Sequence, residues 1–408
     1  MTADTAPQAR CSSCGQSPPP TTLRPFCRLY LSLPPWMRIW RLGTLLVVLV
    51  QSTTLASRVE PLFRPRVLDK GAQVTPLQDW MDDQPAAPRH PPARFPLPDF
   101  LAVFEPANRA EGASLEEWGA SARQILDSSL PKHGAVLVKG LHSIRSSADF
   151  KVFWRACCDV QPHWTAMEYM PFFRNREQDE GVDLATKIKG SSVLPCHNEM
   201  AYNPRPAGRI ALFCLQDAKK GGESLLVPNA VLTDSIRDEV KQWLKEHQGV
   251  LYRREYFDKN AKPSETMPPW ALSWQEKCGI SVDEETGPAK AQATQYFLSM
   301  GFLPDDIVFD GNNTLVVRNT HPGMIRNQEG KEVWFNILDS GMCCGGDGTR
   351  LPENLLQDLR DDSWASYSAI KLEPGDWLVL DNLNVQHGRL PFVEEELCKR
   401  KLLAVYTE

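Results

Sequence analysis

Short β-type runs separated by turns recur along this chain far more often than helices do, and that limits the folds open to it. Runs rich in branched and aromatic residues occur at Gly134–Gly140, Arg209–Leu215, Leu225–Val227, Leu315–Arg318, Val333–Ile337, Trp377–Leu380 and Leu402–Tyr406. Helical signals are fewer. Ser114-Leu-Glu-Glu117 has the capping-box pattern, and Leu115, Trp118, Ala122, Ile125 and Leu126 then share one helical face. Ser147 is placed to cap a helix carrying Phe150, Phe153, Trp154 and Cys157, and a third helix is predicted from Asn229 to His247, ending before Gly249. Many short strands with so few helices predict a mainly β fold with flanking helices (α+β), a sandwich or barrel with the helices packed outside. The 33 Pro and 25 Gly suit the many turns this requires.

Charge divides the chain into regions. The 45 Lys+Arg and 51 Asp+Glu give a net −6, but residues 1–41 hold five Arg and one acid, so that leader is +4 and the remainder −10. So acidic a body argues against a nucleic-acid partner, which needs a basic face to displace counterions. Behind Arg38 and Arg41 lies an apolar run, Leu42–Val50, followed by small residues through Ala56-Ser57. A basic flank, a short apolar core and a small-residue exit are the parts of a targeting signal, here far from the start. Residues 1–57 are therefore expected to be a leader. An organelle presequence (plastid or mitochondrion) is favoured; a short membrane anchor or a secretory-pathway signal is the alternative. Membrane contact is expected only through this segment, if it stays uncleaved, and nothing in the pattern specifies an oligomeric state. Residues 58–94, with Pro88-Arg-His-Pro-Pro92 at the centre, read as a Pro-rich linker, leaving 95–408 as one ordered domain. The 11 Cys are scattered and odd in number, which speaks against a disulfide scaffold, and Cys11-Ser-Ser-Cys14 lacks a second pair to complete a metal site.

The chemistry is most legible at Leu194-Pro-Cys-His-Asn-Glu-Met200. On an extended strand alternate side chains share a face, so His197 and Glu199 point one way and Asn198 the other. An imidazole beside a carboxylate makes two arms of a metal site. A third is offered by Asp376-Trp-Leu-Val-Leu-Asp-Asn-Leu-Asn-Val-Gln-His-Gly-Arg389, where an apolar strand and a polar turn lead to His387. Two His and one carboxylate leave half of an octahedral iron open for a chelating cosubstrate and O₂. Zinc accepts the same set, so a hydrolase stays open as an alternative. His133, His142, His163 and His247 lie in turns or at helix ends without paired acids and are expected to be surface or capping residues; His321, in Thr-His-Pro, is expected in a turn. Asp381 and Asn382 are expected to organise the turn before His387, and Gly221-Gly222 to permit a tight turn rather than cradle phosphate.

Taken in order, His197-Asn-Glu-Met-Ala-Tyr202, Gly221-Gly-Glu-Ser224, Arg318-Asn-Thr-His-Pro322 with Lys331-Glu-Val-Trp-Phe-Asn336, and Asp381-Asn-Leu-Asn-Val-Gln-His-Gly-Arg389 resemble the TauD/TfdA family of Fe(II)- and 2-oxoglutarate-dependent oxygenases. The resemblance is to its clavaminate-synthase-like branch, which has Glu where many relatives have Asp, and covers about Phe95 to Glu408. It implies a double-stranded β-helix, or jelly roll, with His197, Glu199 and His387 as iron ligands. It also implies Fe(II), 2-oxoglutarate and O₂ as cofactors, a small organic substrate that is oxidised, normally hydroxylated, and release of succinate and CO₂. Ser224 stands 27 residues beyond the first ligand, where the family usually has a Thr that touches the cosubstrate's distal carboxylate. Arg400, thirteen residues after His387, matches the Arg that anchors that carboxylate, with Arg389 as second choice. Phe173, Met200 and Tyr202, with Tyr169, Phe172, Arg174 and the insertion between Arg253 and Thr294, are candidates to line the substrate's approach. A non-catalytic jelly-roll binding protein is the remaining alternative.

Overall fold

The computed structural model describes residues 62–68, 84, 86–107, 112–158, 182–185, 190–260, 272–281, 286–338, 344–393 and 400–408. The leader, Cys11-Ser-Ser-Cys14, His163 and Phe173 with its neighbours Tyr169, Phe172 and Arg174 lie outside them.

From the amino-terminal side come β1 (Phe63–Pro65), β2 (Leu101–Pro106), helix α1 (Leu115–His133), β3 (Ala135–Val138), α2 (Ser147–Cys158), β4 (Asp183–Leu184), β5 (Leu194–His197), β6 (Arg209–Gln216) and β7 (Ser224–Pro228). Helices α3 (Asn229–Ser235) and α4 (Asp238–Glu246) lead to β8 (Val250–Tyr256), then α5 (Trp274–Cys278), α6 (Thr286–Ser299), β9 (Ile307–Phe309), β10 (Leu315–His321), β11 (Met324–Arg326), β12 (Glu332–Trp334) and β13 (Cys344–Gly345). Helix α7 (Glu353–Ser366), β14 (Ser368–Ile370), β15 (Trp377–Asp381), β16 (Val385–Arg389) and β17 (Lys401–Thr407) complete the order. A seven-stranded sheet runs β1-β2-β3-β15-β6-β17-β4, and a four-stranded sheet runs β14-β7-β16-β5. Together they form the jelly roll. Strands β8–β10 and β13 make a third sheet, and β11–β12 a two-stranded ribbon.

Period-2 alternation decides what fills each layer. Trp377 and Val379 of the central strand β15 face outward, with Val136, Phe213 and Val405, and pack against Trp118, Phe150, Phe153 and Trp154 of α1 and α2. Leu378 and Leu380 face inward, with Leu137, Ile210, Leu212, Leu402 and Ala404, and meet Leu226, Ile370 and Val385 from the smaller sheet. A strand buried on both faces must be apolar throughout, as Trp377-Leu-Val-Leu380 is. Helix α1 begins as predicted, with Ser114 accepting from the Glu117 amide and Glu117 reaching back to the Ser114 amide; it ends at Gly134, whose φ of 74° is the left-handed turn glycine allows.

Three expectations need correction. At the start of α2, Ser146 rather than Ser147 caps, its hydroxyl accepting from the Asp149 amide at 3.1 Å. The helix expected from Asn229 to His247 is broken: Ile236 and Arg237 are extended, because the Arg237 amide and guanidinium both donate to Asp362 of α7 while Ile236 is buried. The stretch expected to be a linker also contributes to the domain. Phe63 on β1 is buried 4.9 Å from the Trp118 ring, Trp364 donates to the Ala86 carbonyl, and Arg89 pairs with Asp358 and Asp361. Phe63→Ala should lower stability by about 3–5 kcal/mol, the usual loss for a buried Phe. Urea unfolding checks this, and a loss below about 1 kcal/mol would show that β1 is an appendage.

Candidate metal centre

Strand β16 lies between β5 and β7, so residues nearly two hundred positions apart become neighbours. His387 pairs directly across from His197, and Arg389 sits opposite Ser224. The two imidazole centroids are 4.7 Å apart. His197 Nε2 lies 3.9 Å and His387 Nε2 3.8 Å from Glu199 Oε2. One ligand atom from each of the three falls within 4.8 Å of the others, and they are the only such His/Cys/Asp/Glu group among the described residues.

The donor atoms suit a cation. His197 Nδ1 lies 2.9 Å from the Pro195 carbonyl, which fixes the proton on Nδ1 and leaves the Nε2 lone pair facing Glu199. Burial, and secondarily the neighbouring His197, push His387 down to about 3 against a smaller opposing pull from Glu199. The uncharged His387 imidazole, the Nε2 of His197 and the carboxyl group of Glu199 therefore converge on one space. A divalent cation supplies the positive charge this donor set lacks, so the residues fit the predicted metal.

The cavity holding the triad is also lined by Ser224, Arg389 and Arg400, with Leu212, Leu402 and Tyr406 as apolar wall. Ser224 opens β7 and is buried. Arg400 immediately precedes β17, with Nη2 3.5 Å from the Gly222 carbonyl. Gly222 has φ 77°, and a Cβ there would stand 3.3 Å from Arg400 Nε, so the glycine both makes the turn and leaves room for the guanidinium. Burial lowers the Arg400 guanidinium to about 10, still charged at neutral pH. Arg389 reaches the same cavity but donates to the Ser192 carbonyl at 2.8 Å and lies over the Phe392 ring, contacts that hold the segment leading into β5.

The substrate-side candidates among the described residues are placed elsewhere. Met200 is 1% exposed and packs in the core between the sheets. Tyr202 carries the Arg254 guanidinium 3.4 Å above its ring, and neither residue lines the cavity. From the insertion, Tyr256, Trp274, Ile280, Ala289 and Ala293 pack in a separate cluster with Phe297 and Leu315. His321 Nδ1 accepts from the Gly323 amide at 3.1 Å, shaping the turn after β10. Asp381 organises the turn before β16, accepting from the Leu383 amide and the Asn384 side chain. Asn382 does not share that task. Its side chain turns inward to the backbone of Glu199, part of a set of buried amides (Asn198, Asn229, Asn336, Asn382, Gln386) that sequence reasoning missed. The available signal was the position of polar residues beside the ligands: Gln386 lies on the face of β16 turned away from that of His387, and Asn198 stands between His197 and Glu199.

Comparison with known proteins agrees with this geometry. Residues 94–406 match the family described as taurine catabolism dioxygenase TauD, TfdA family. A clavaminate synthase-like protein of Arabidopsis thaliana is 24% identical over 338 residues, spanning 77% of this chain and 93% of its own. The dapdiamide synthesis protein DdaC of Enterobacter agglomerans is 22% identical over 319 residues, 71% of this chain and 88% of its own. Among solved structures, PvcB of Pseudomonas aeruginosa aligns over 79% of this chain and 90% of its own, at 13% identity and a TM-score of 0.44. Because the family match spans nearly the whole described domain, this chain belongs to the TauD/TfdA family of dioxygenases.

Proposed function

We propose that the cavity is the active site of a 2-oxoglutarate-dependent hydroxylase, with His197, Glu199 and His387 holding Fe(II), and Arg400 and Ser224 holding the distal carboxylate of the cosubstrate. The protein is an oxygenase, and Fe(II), 2-oxoglutarate and O₂ are its cofactors. The observation that carries the assignment of roles is the meeting of the triad, Arg400 and Ser224 in one cavity. When bound, the metal and cosubstrate supply oxidative decarboxylation: 2-oxoglutarate, O₂ and a substrate C–H bond give succinate, CO₂ and an alcohol.

The chain's own part is binding and exclusion. The Pro195 carbonyl keeps the His197 proton on Nδ1, so that Nε2 is free to ligate. The Arg400 fork offers two parallel donors to a carboxylate, and the Ser224 hydroxyl a third. Leu212, Leu402 and Tyr406 keep water from the rest of the cosubstrate's length. A zinc hydrolase would leave Arg400 and Ser224 without a purpose, and a non-catalytic jelly roll would have no need to keep all three ligands beside them. The substrate is a small organic molecule reached from the triad's open side.

Ser224→Ala should weaken 2-oxoglutarate about tenfold, the loss of about 1.5 kcal/mol for one hydrogen bond to a charged group, while Ser224→Thr should stay within about twofold. Titration of the anaerobic Fe(II) protein measures both, and equal affinities in all three proteins would remove Ser224 from the carboxylate site. Succinate release with Fe(II), screened against pooled small metabolites, tests the activity itself. Release that neither requires Fe(II) nor rises with any substrate would contradict it. The basic, acid-poor leader supports an organelle address, which a fluorescent fusion of residues 1–57 would reveal by its compartment.

A further inference from the structure

Strand β5 ends at His197, so Glu199, two residues on, lies beyond the ladder that fixes the first ligand. The next residue, Met200, has φ 55°, and the chain turns away from the sheet. A ligand on such a turn needs something other than a neighbouring strand to fix its backbone. Asn382 provides it. Its Oδ1 accepts from the Glu199 amide at 2.7 Å, and its Nδ2 donates to the Glu199 carbonyl at 3.0 Å and to the Ala207 carbonyl at 2.6 Å. One side chain thus occupies both polar groups of the Glu199 main chain, as a strand partner would.

The other amides extend this hold to the second histidine. Asn198, between the two amino-terminal ligands, donates to the Asn382 carbonyl at 2.7 Å and accepts from Gln386 Nε2 at 2.8 Å. Gln386 immediately precedes His387. The residues adjoining the ligands in sequence are therefore hydrogen-bonded to each other behind the site, on the faces pointing away from the cavity. Asn198 and Asn382 are fully buried and Gln386 is 1% exposed. Well-packed apolar residues would serve stability there at least as well as polar ones. What a satisfied amide network adds is a fixed geometry.

We propose that Asn382, Asn198 and Gln386 are positioning residues that set Glu199 and His387 at the spacing of one metal ion before the metal arrives. This rests on the reading of the triad as a metal site. Glutamate makes the need specific: its extra methylene already adds one torsion, so movement of the main chain as well would spread the carboxylate over a wider range. The prediction concerns metal affinity and coordination geometry, which loss of fold stability alone would not alter.

The test uses the full chain, with Co(II) as a spectroscopic probe for the metal. Wild type, Asn382→Ala, Gln386→Met and Phe63→Ala are titrated with Co(II), recording affinity, the d–d absorption spectrum and the apo melting temperature. Wild type should bind one Co(II). Asn382→Ala and Gln386→Met should each bind it about 10–100-fold more weakly, with a changed spectrum, as for other residues that orient metal ligands. Phe63→Ala, destabilised on the far side of the larger sheet, should melt earlier and keep wild-type affinity and spectrum. Affinities within twofold of wild type in both network variants would overturn the proposal while leaving the metal site standing. No Co(II) binding by wild type would instead overturn the metal assignment beneath it. If Asn382→Ala does not fold, Gln386→Met alone decides, because it removes the side-chain bond from the His387 strand to Asn198 and leaves the backbone ladder in place.

Discussion

His387→Ala should abolish Fe(II)-dependent turnover of 2-oxoglutarate while leaving the apo fold nearly as stable as wild type. The separation follows from the structure. His387 lines the cavity, and its Nδ1 has no hydrogen-bond partner among the described residues, so the ring gives little to the fold through polar contacts. Its value lies in Nε2, which faces Glu199 at 3.8 Å. Loss of a ligand must exceed the roughly 10–100-fold loss seen when only an orienting partner is removed, so more than about 100-fold in metal affinity is expected. Equilibrium dialysis against Fe(II) with succinate release measures the first effect, and urea unfolding without metal the second. A variant that binds iron normally would exclude His387 as a ligand. A variant that merely unfolds would show His387 to be a core residue.

Arg400→Ala should raise the dissociation constant for 2-oxoglutarate by roughly 10- to 150-fold, from about 1.5–3 kcal/mol for hydrogen bonds to a charged group, and leave metal affinity unchanged. Arg400→Lys keeps the charge but not the planar fork, so it should recover only part of this. Arg389→Ala should behave differently. That guanidinium is engaged with the Ser192 carbonyl and the Phe392 ring, so its loss should loosen the segment before β5 and affect His197 before the cosubstrate. Isothermal titration of 2-oxoglutarate into the Mn(II) protein distinguishes the two arginines. A larger loss in Arg389→Ala than in Arg400→Ala would reverse the assignment.

Local patterns carried much of this into the sequence. Ser114 and Glu117 announce α1, and the unbroken apolar run Trp377–Leu380 announces a strand buried on both faces. The spacing of His197 and Glu199 marked them as a pair, and both line one cavity, although β5 ends at His197 and Glu199 lies on the turn beyond it rather than on an extended strand. Features set by distant partners were not legible. The break at Ile236–Arg237 depends on Asp362, 125 residues away, and Asn229–His247 taken alone has continuous helical character. Phe63 sits in a three-residue strand too short to show a period, within Pro-rich sequence, so its place in the core emerges only from Trp118 opposite. Asn382 follows Asp381 in a turn where both residues have the same local options, and only the fold sends one to its own turn and the other to Glu199. Much of the substrate side was illegible for a similar reason. Met200 and Tyr202 follow the ligand motif closely, yet the turn at Met200 carries their side chains into the core and beneath Arg254.

The central claim is that His197, Glu199 and His387 hold Fe(II) next to a 2-oxoglutarate anchored by Arg400. Its most direct test is the visible spectrum of the anaerobic full chain with one equivalent of Fe(II), before and after 2-oxoglutarate is added. A weak metal-to-ligand charge-transfer band should appear in wild type, be absent in His197→Ala, and need higher 2-oxoglutarate in Arg400→Ala. No band in wild type, or an unchanged band in His197→Ala, would contradict the account.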